Sequence, residues 1–271
     1  MNLKQILSKK LNVKKEKLPK SFDQIGSISI IDIPDELKKY ERIIGQELIR
    51  LHKNIKTVYK KGSARSGIYR TRKLNYLAGE RTEITEHKEF GCKLRMNIRR
   101  CYFSPREGTE RSRLIKQIRK GETIMVFFAG IGPYPILISR RTKAKNIIGI
   151  ELNPVAVKYF RENVKINKAK NVSVIEGDVR KKARKFYGLC DRVIMPLPET
   201  GYKYLEEAIK CLKKEGTINF YCFSPDDLSS IKEKIMRAGK RLTRKVKIIE
   251  QRKVLPYNAR ISKWRIDIRV Y

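Results

Sequence analysis

From Thr123 to Phe223 the sequence alternates short, almost uninterrupted apolar runs with amphipathic stretches, and this alternation restricts the fold more than any other feature. TIMVFFAG, IIGIEL, VSVIEG, DRVIMPLP and GTINFYCF read as strands with helices between them. Strands apolar on both faces need cover on both faces. A repeated strand–helix unit supplies it as a parallel sheet with helices above and below. The expected fold class is therefore α/β, a doubly wound, mostly parallel sheet. Asn153 followed by Pro154 predicts a capped helix running to about Asn167. Ser224-Pro225 predicts the opening of another, to about Arg241, and Val246–Val254 and Trp264–Tyr271 close the chain as antiparallel-looking strands.

The N-terminal third reads as a small α+β module. Its expected elements are a strand at Ser27–Ile33 and a helix entered at Pro34-Asp35 and running to about Lys53. From Lys53 to Gly79 there are eight cations and no acid, interrupted by Gly62, Ser63, Ser66 and Gly67, which predicts a loop-rich strand region. Glu83–Phe90 and Lys93–Tyr102 alternate like strands, and a helix is expected from Glu110 to Lys120. We place the division between an RNA-contacting module and the sheet domain at residues 86/87, giving 1–86 and 87–271. The residues before Phe22 read as a basic arm.

Charge narrows the partner. Lys and Arg number 64 against 28 Asp and Glu, a net charge of +36. Lys-rich surfaces adapted to heat balance their cations with Glu in ion-pair networks, and here most cations lack a carboxylate to pair with. Phosphate is the natural counter-charge, which favours nucleic acid over a membrane surface. The longest uncharged run, Thr123 to Ser139, has 17 residues broken by two glycines and two prolines, too short to span a bilayer. The first ten residues lack the apolar stretch of a secretory signal. A cytoplasmic protein is expected. Five cysteines without a C-x-x-C, and two histidines, give no metal pattern and no disulfide framework, so reduced buried thiols are expected.

Open parallel sheets bind ligands at the carboxyl ends of their strands. Gly130-Ile131-Gly132 ends the first of these strands, Glu151 ends the second 21 residues after Gly130, and Asp178 ends the third. Glycines let backbone approach a ligand, a carboxylate at the second strand grips ribose hydroxyls, and one at the third accepts from an adenine amine. A dinucleotide site needs a third glycine and a pyrophosphate at the helix N-terminus. Here Tyr134 and Pro135 follow Gly132, which suits an adenosyl ligand without phosphates. S-adenosylmethionine fits better than NAD.

YFSPREGTERSR (Tyr102–Arg113), FAGIGP (Phe128–Pro133), ELNP (Glu151–Pro154), GDVR (Gly177–Arg180) and DRVIMPLP (Asp191–Pro198) occur in that order. Together they resemble the archaeal and eukaryotic tRNA (guanine-N1)-methyltransferases acting on position 37. The upstream runs GIYRTRKLNYLAG and HKEFGCKL look like that family's middle domain. The resemblance covers the chain from about Phe22. It implies a class I, Rossmann-like methyltransferase fold, S-adenosylmethionine as donor, and tRNA as partner through its anticodon loop; a monomer is the default state, and no metal is expected. The additional N-terminal domain of many archaeal members, which senses the outer shape of tRNA, is expected to be missing.

By the same resemblance the catalytic residues are Glu110 and Arg70, with Tyr102 beside the base. Guanine N1 carries a proton and is a poor nucleophile until it leaves, so a carboxylate within reach serves as general base. A guanidinium at O6 stabilises the negative charge that follows. N1 lies on the Watson–Crick edge, so the base must be unpaired or flipped out. Phe128, Ala129, Gly130, Gly132, Pro133, Glu151, Leu152, Asp178 and Val179 are expected to hold the cofactor, and Pro196, Leu197 and Pro198 to shape the base slot.

Two residues depart from the family pattern. Pro196 stands where relatives carry an asparagine, and Val126 where an acid usually ends the first strand. Some archaeal relatives also methylate C7 of the tricyclic 4-demethylwyosine, and less side chain at 196 suits a bulkier base. Pyrimidine C5 methylation needs a cysteine on the fourth-strand loop, which reads MPLPE with Cys190 ahead of the strand. The alternatives are an exocyclic-amine RNA methyltransferase, which depends less on Glu110, and a catalytically decayed tRNA-binding module, which has no need of the cofactor.

Overall fold

The computed structural model describes residues 3–271. Its backbone falls into two units that divide between Gly108 and Thr109.

The first unit carries a four-stranded sheet in the order β1 (Phe22–Ile25), β2 (Ile28–Ile31), β3 (Thr57–Lys61), β4 (Leu74–Gly79). The β2–β3 pair is parallel and the outer pairs are antiparallel. Between β2 and β3 the chain makes a tight 3-10 turn, Asp35–Tyr40, before the helix α2 (Glu41–Leu51) begins, so the expected helix starts about two turns late. The basic arm is a helix. Residues Leu3–Leu11 form α1, and Leu7 and Leu11, one turn apart, bury against the core that also holds Ile44, Leu48 and Val58. Burying one such leucine contributes roughly 1.5–3 kcal/mol, enough to order a segment whose composition is otherwise that of a solvated tail.

An antiparallel hairpin, β5 (Ile84–Glu89) with β6 (Cys92–Asn97), also lies in the first unit. It is tied to the β1–β2 turn: Gly26 N donates to His87 Nδ1 at 3.2 Å, and Ser27 N to Thr85 Oγ1 at 3.0 Å.

The second unit begins in α3 (Gly108–Ile115), which stops one turn short of the expected Lys120. Lys116, Gln117 and Ile118 donate their N–H groups three residues back rather than four, which tightens and ends the helix. The strands β7 (Thr123–Phe127), β8 (Asn146–Glu151), β9 (Val172–Glu176), β10 (Cys190–Met195), β11 (Leu212–Ser224), β12 (Val246–Pro256) and β13 (Ser262–Val270) form one sheet in the order β12-β13-β11-β10-β7-β8-β9. From β9 to β11 all neighbours run parallel, while β13 and β12 are antiparallel additions. The chain steps outward from β7 to β9 and then returns to place β10 on the other side of β7, which puts the switch point there.

Helices α4 (Pro133–Arg141), α5 (Pro154–Ile166), α6 (Val179–Lys182), α7 (Leu205–Cys211) and α8 (Ser229–Arg241) connect these strands. Asn153 caps α5 as its sequence predicts, its Oδ1 accepting from Val155 N at 3.0 Å. Ser224, by contrast, opens no helix. It is still paired with Ser262 in the sheet, and α8 starts after Asp227, whose carboxylate accepts from Ser229 N at 2.9 Å. The five cysteines are buried, and none is in a disulfide among the described residues.

Candidate active site

Three successive strand ends build one side of the site. After β7 the backbone turns through Phe128, Gly130 and Gly132, all at positive φ (54°, 58° and 86°), and α4 then begins with Pro133. A non-glycine at positive φ carries strain, and such strain gathers where function over-determines the backbone. The missing side chains at these glycines are expected to make room for a ligand. At Gly132 a ring of the protein itself needs the space: a Cβ there would lie 2.1 Å from Phe160 on α5.

Glu151 clamps the turn from the end of β8. Its Oε2 accepts from Gly130 N at 2.7 Å and its Oε1 from Asn153 N at 2.8 Å. Burial pushes its carboxyl group upward, and the backbone N–H donors of Asn153, Gly130 and Leu152 pull the other way. Leu152 beside it is exposed. Asp178 follows β9 and caps α6, accepting from Arg180 N at 2.7 Å; Val179 behind it is buried in the core. Phe128 meets the edge of Tyr204 with centroids 4.9 Å apart, and the Arg180 guanidinium lies 4.5 Å from the same ring. Tyr204 and Arg180 thus stand beside the Phe128 turn, and no motif in the sequence marked Tyr204.

The fourth strand end is Pro196–Pro198. Two of its carbonyls are taken internally, Leu197 O by Gly201 N and Pro198 O by Phe223 N. Val126 is fully buried within β7, between Gly149 and Ile194 of the neighbouring strands.

Glu110, on α3, is 2% exposed. Its Oε1 receives Arg265 Nη1 at 2.6 Å and the Tyr221 hydroxyl at 3.0 Å, while its Oε2 is buried with no hydrogen-bond partner among the described residues. Arg265 also binds Asp267 at 3.0 Å and Glu250 at 3.1 Å. Burial works against the Arg265 charge, but the Asp267 and Glu110 carboxylates more than offset it and hold the guanidinium protonated. The network continues through Asn219 to Arg192, which grips Glu122 with two nitrogens. Buried charges need this degree of pairing to be tolerated.

Arg70 and Tyr102 belong to the first unit. Arg70 closes the Gly67–Arg70 turn at φ 54°. Arg65 lies over one face of Tyr102, 4.3 Å from its centroid, and donates to Phe103 O; the Tyr102 hydroxyl donates to Glu107. Burial lowers Arg65 to about 10, with Arg72 adding to the effect. Arg72 has a buried Nε with no hydrogen-bond partner among the described residues. The run of cations concealed these two among eight of similar appearance.

A profile described as the TRM5/TYW2 methyltransferase domain matches residues 85–250, and one described as the TYW2 N-terminal domain matches residues 3–82. The chain belongs to the TRM5/TYW2 methyltransferase family. It is 42% identical over 255 residues to the tRNA (guanine(37)-N(1))-methyltransferase Trm5b of Pyrococcus abyssi, covering 93% of this chain and 76% of that protein. It is 32% identical to the tRNA (guanine(37)-N(1))/4-demethylwyosine(37)-methyltransferase Taw22 of Nanoarchaeum equitans, covering 93% and 99% respectively. The crystal structure of Pyrococcus horikoshii TYW2 in complex with MeSAdo superposes with a TM-score of 0.84 at 25% identity, covering 99% of this chain and 98% of that one. The sheet is thus the Rossmann-like fold of a TRM5/TYW2 methyltransferase.

Within this TRM5/TYW2 sheet, the loop Pro196–Gly201 after β10 itself carries no cysteine. Cys190 begins that strand, at the end away from Pro196, and burial pushes its thiol up to about 12, with Asp191 adding to the effect. Among the described residues no helix is long and apolar enough to cross a membrane.

Proposed function

We propose that the chain transfers a methyl group from S-adenosylmethionine to N1 of guanosine at position 37 of tRNA. It engages the anticodon loop as a cytoplasmic monomer. The observation that carries this reading is the divided carboxylate of Glu110: Oε1 takes two donors while buried Oε2 takes none. A carboxylate held in this way has one oxygen in reserve for the N1–H proton.

The strand ends suit the cofactor. Pro133 and Pro135 remove two N–H groups from the first turn of α4, so that helix start is a poor phosphate site and agrees with a ligand that carries a cation. Each oxygen of Glu151 has a lone pair beyond its backbone bond, available to ribose hydroxyls. Phe128, Ala129, Gly130, Gly132 and Pro133 would cradle the methionine end, Glu151 and Leu152 the ribose, and Asp178 and Val179 the adenine. When bound, S-adenosylmethionine supplies an electrophilic methyl group on its sulfonium.

Glu110 takes the N1 proton on Oε2, and the carboxyl group keeps it until solvent removes it. Arg70 donates to O6, where the negative charge of the deprotonated purine collects, an interaction stronger after proton loss than before it. Tyr102 offers the face opposite Arg65 for stacking, and Pro196, Leu197 and Pro198 line the slot. Positioning then supplies much of the rate, because the transfer is an in-line displacement.

Pro196 favours a second activity, methylation of C7 in 4-demethylwyosine at the same position, since it removes a side-chain amide from the slot. The test is mass mapping of nucleoside 37 after reaction with unmodified tRNA and with tRNA bearing the tricyclic precursor. A single added methyl on N1 of guanosine is expected in the first, and one on C7 in the second. No methyl on guanosine rejects the main reading; none on the precursor rejects the second alone.

A further inference from the structure

We propose that Tyr221, seated by Tyr134, is the positioning residue that commits Oε1 of Glu110 to the protein and reserves Oε2 for the substrate. The inference rests on the reading of Glu110 as general base. Tyr221 stands on β11 directly opposite Arg265 on β13, so the sheet register itself aims both donors at one carboxylate. Its hydroxyl donates to Oε1 at 3.0 Å and accepts from the Tyr134 hydroxyl at 3.1 Å. Both tyrosines are buried, at 0% and 3% exposure.

Two donors on the same oxygen fix the rotation of the carboxylate about its last bond. With one donor, a carboxylate can exchange its oxygens by a half-turn. With two converging from different strands, the half-turn breaks both bonds in a dry environment, where lost hydrogen bonds are costly. The phenol is suited to this role because it remains a donor. Burial raises Tyr221 well above the ordinary tyrosine range, and the hydroxyl of Tyr134 and the charge of Glu110 push the same way. Lys263 lies 4.9 Å from the centroid of the Tyr221 ring and holds its face.

Tyr134 extends the arrangement to the cofactor side. It is the second residue of α4, immediately after the Gly130–Pro133 turn. The hydroxyl chain Tyr134–Tyr221–Glu110 therefore ties the base to the backbone that would cradle the methyl donor. A base must be placed relative to the donor as well as to the purine, and small misplacements cost large factors in rate.

The experiment compares full-length Tyr221→Phe, Tyr134→Phe and Glu110→Gln. Single-turnover methylation of saturating guanosine-37 tRNA is read together with the dissociation constants for S-adenosylmethionine and tRNA, and with thermal unfolding. Tyr221→Phe is expected to slow methyl transfer at least about tenfold, with both dissociation constants within about twofold of the parent. Tyr134→Phe is expected to give a smaller loss in the same sense. A full rate in Tyr221→Phe beside a failed Glu110→Gln overturns the positioning role and leaves the base reading intact. A full rate in Glu110→Gln overturns the base reading itself. A slow Tyr221→Phe whose loss is matched by lost cofactor affinity or lost folding marks the tyrosine as structural and also overturns the proposal.

Discussion

Gly132 shows how a packing demand falls within the proposed cofactor turn. Its φ of 86° suits glycine, and Phe160 fills the place where a Cβ would be. Gly132→Ala is expected to destabilise the protein by about 2–4 kcal/mol through left-handed strain and displacement of the ring. Thermal unfolding with and without S-adenosylmethionine measures it. An alanine variant as stable as the parent, with unchanged cofactor affinity, would remove Gly132 from both roles. The glycine was legible in the sequence; its partner was not, because Phe160 lies on a different element and nothing local links the two. The same holds for Glu110. A family motif marked the residue, but Arg265 lies 155 positions away and meets it only through the sheet.

Elements show the same limit in both directions. The parallel strands announced themselves, because burial on both faces leaves an apolar run that needs no partner to be recognised. The α1 helix did not, since its nine residues carry only a narrow apolar stripe among lysines. Its anchor is Glu47 on α2, 4% exposed, which accepts from Lys10 at 2.6 Å and Arg50 at 2.8 Å. The hydrogen bond from Lys10, then that from Arg50, lowers the Glu47 carboxyl group, against an opposing effect of burial. A carboxyl lowered by folding adds stability above its unfolded pKa of about 4.3, and that contribution fades as pH falls through the lowered folded value. Glu47→Gln is expected to cost about 1–3 kcal/mol at neutral pH and progressively less in acid. Urea unfolding of parent and variant at pH 7 and pH 3 checks this; an equal gap at both values would refute it.

For the whole molecule, the net charge of +36 sets the character of association. The 28 Asp and Glu residues are too few to pair one-to-one with the 64 cations, and some pairs, such as Arg192–Glu122, are buried inside the fold. Binding of tRNA is expected to be strongly salt-dependent, with log K falling against log salt at a slope steeper than about −4, corresponding to at least about five neutralised phosphates. Filter binding or fluorescence titration across 50–300 mM salt, roughly the range where such slopes are read, gives the value. A near-flat dependence would mean the cations serve something other than RNA.

The sequence alone determined the doubly wound sheet, the capped start of α5, the glycine turn with Glu151 after it, and the large excess of positive charge. Each of these follows from periodicity, local capping or summed charge, quantities that a one-dimensional string carries. Only the tertiary structure decided that α1 is ordered, that α8 begins after Asp227, and that Glu110 is held on one oxygen by Tyr221 and Arg265. Those outcomes depend on side chains far apart in the chain meeting in a dry interior, where an unmet polar atom is costly and the winning arrangement is set by which partners the sheet brings together.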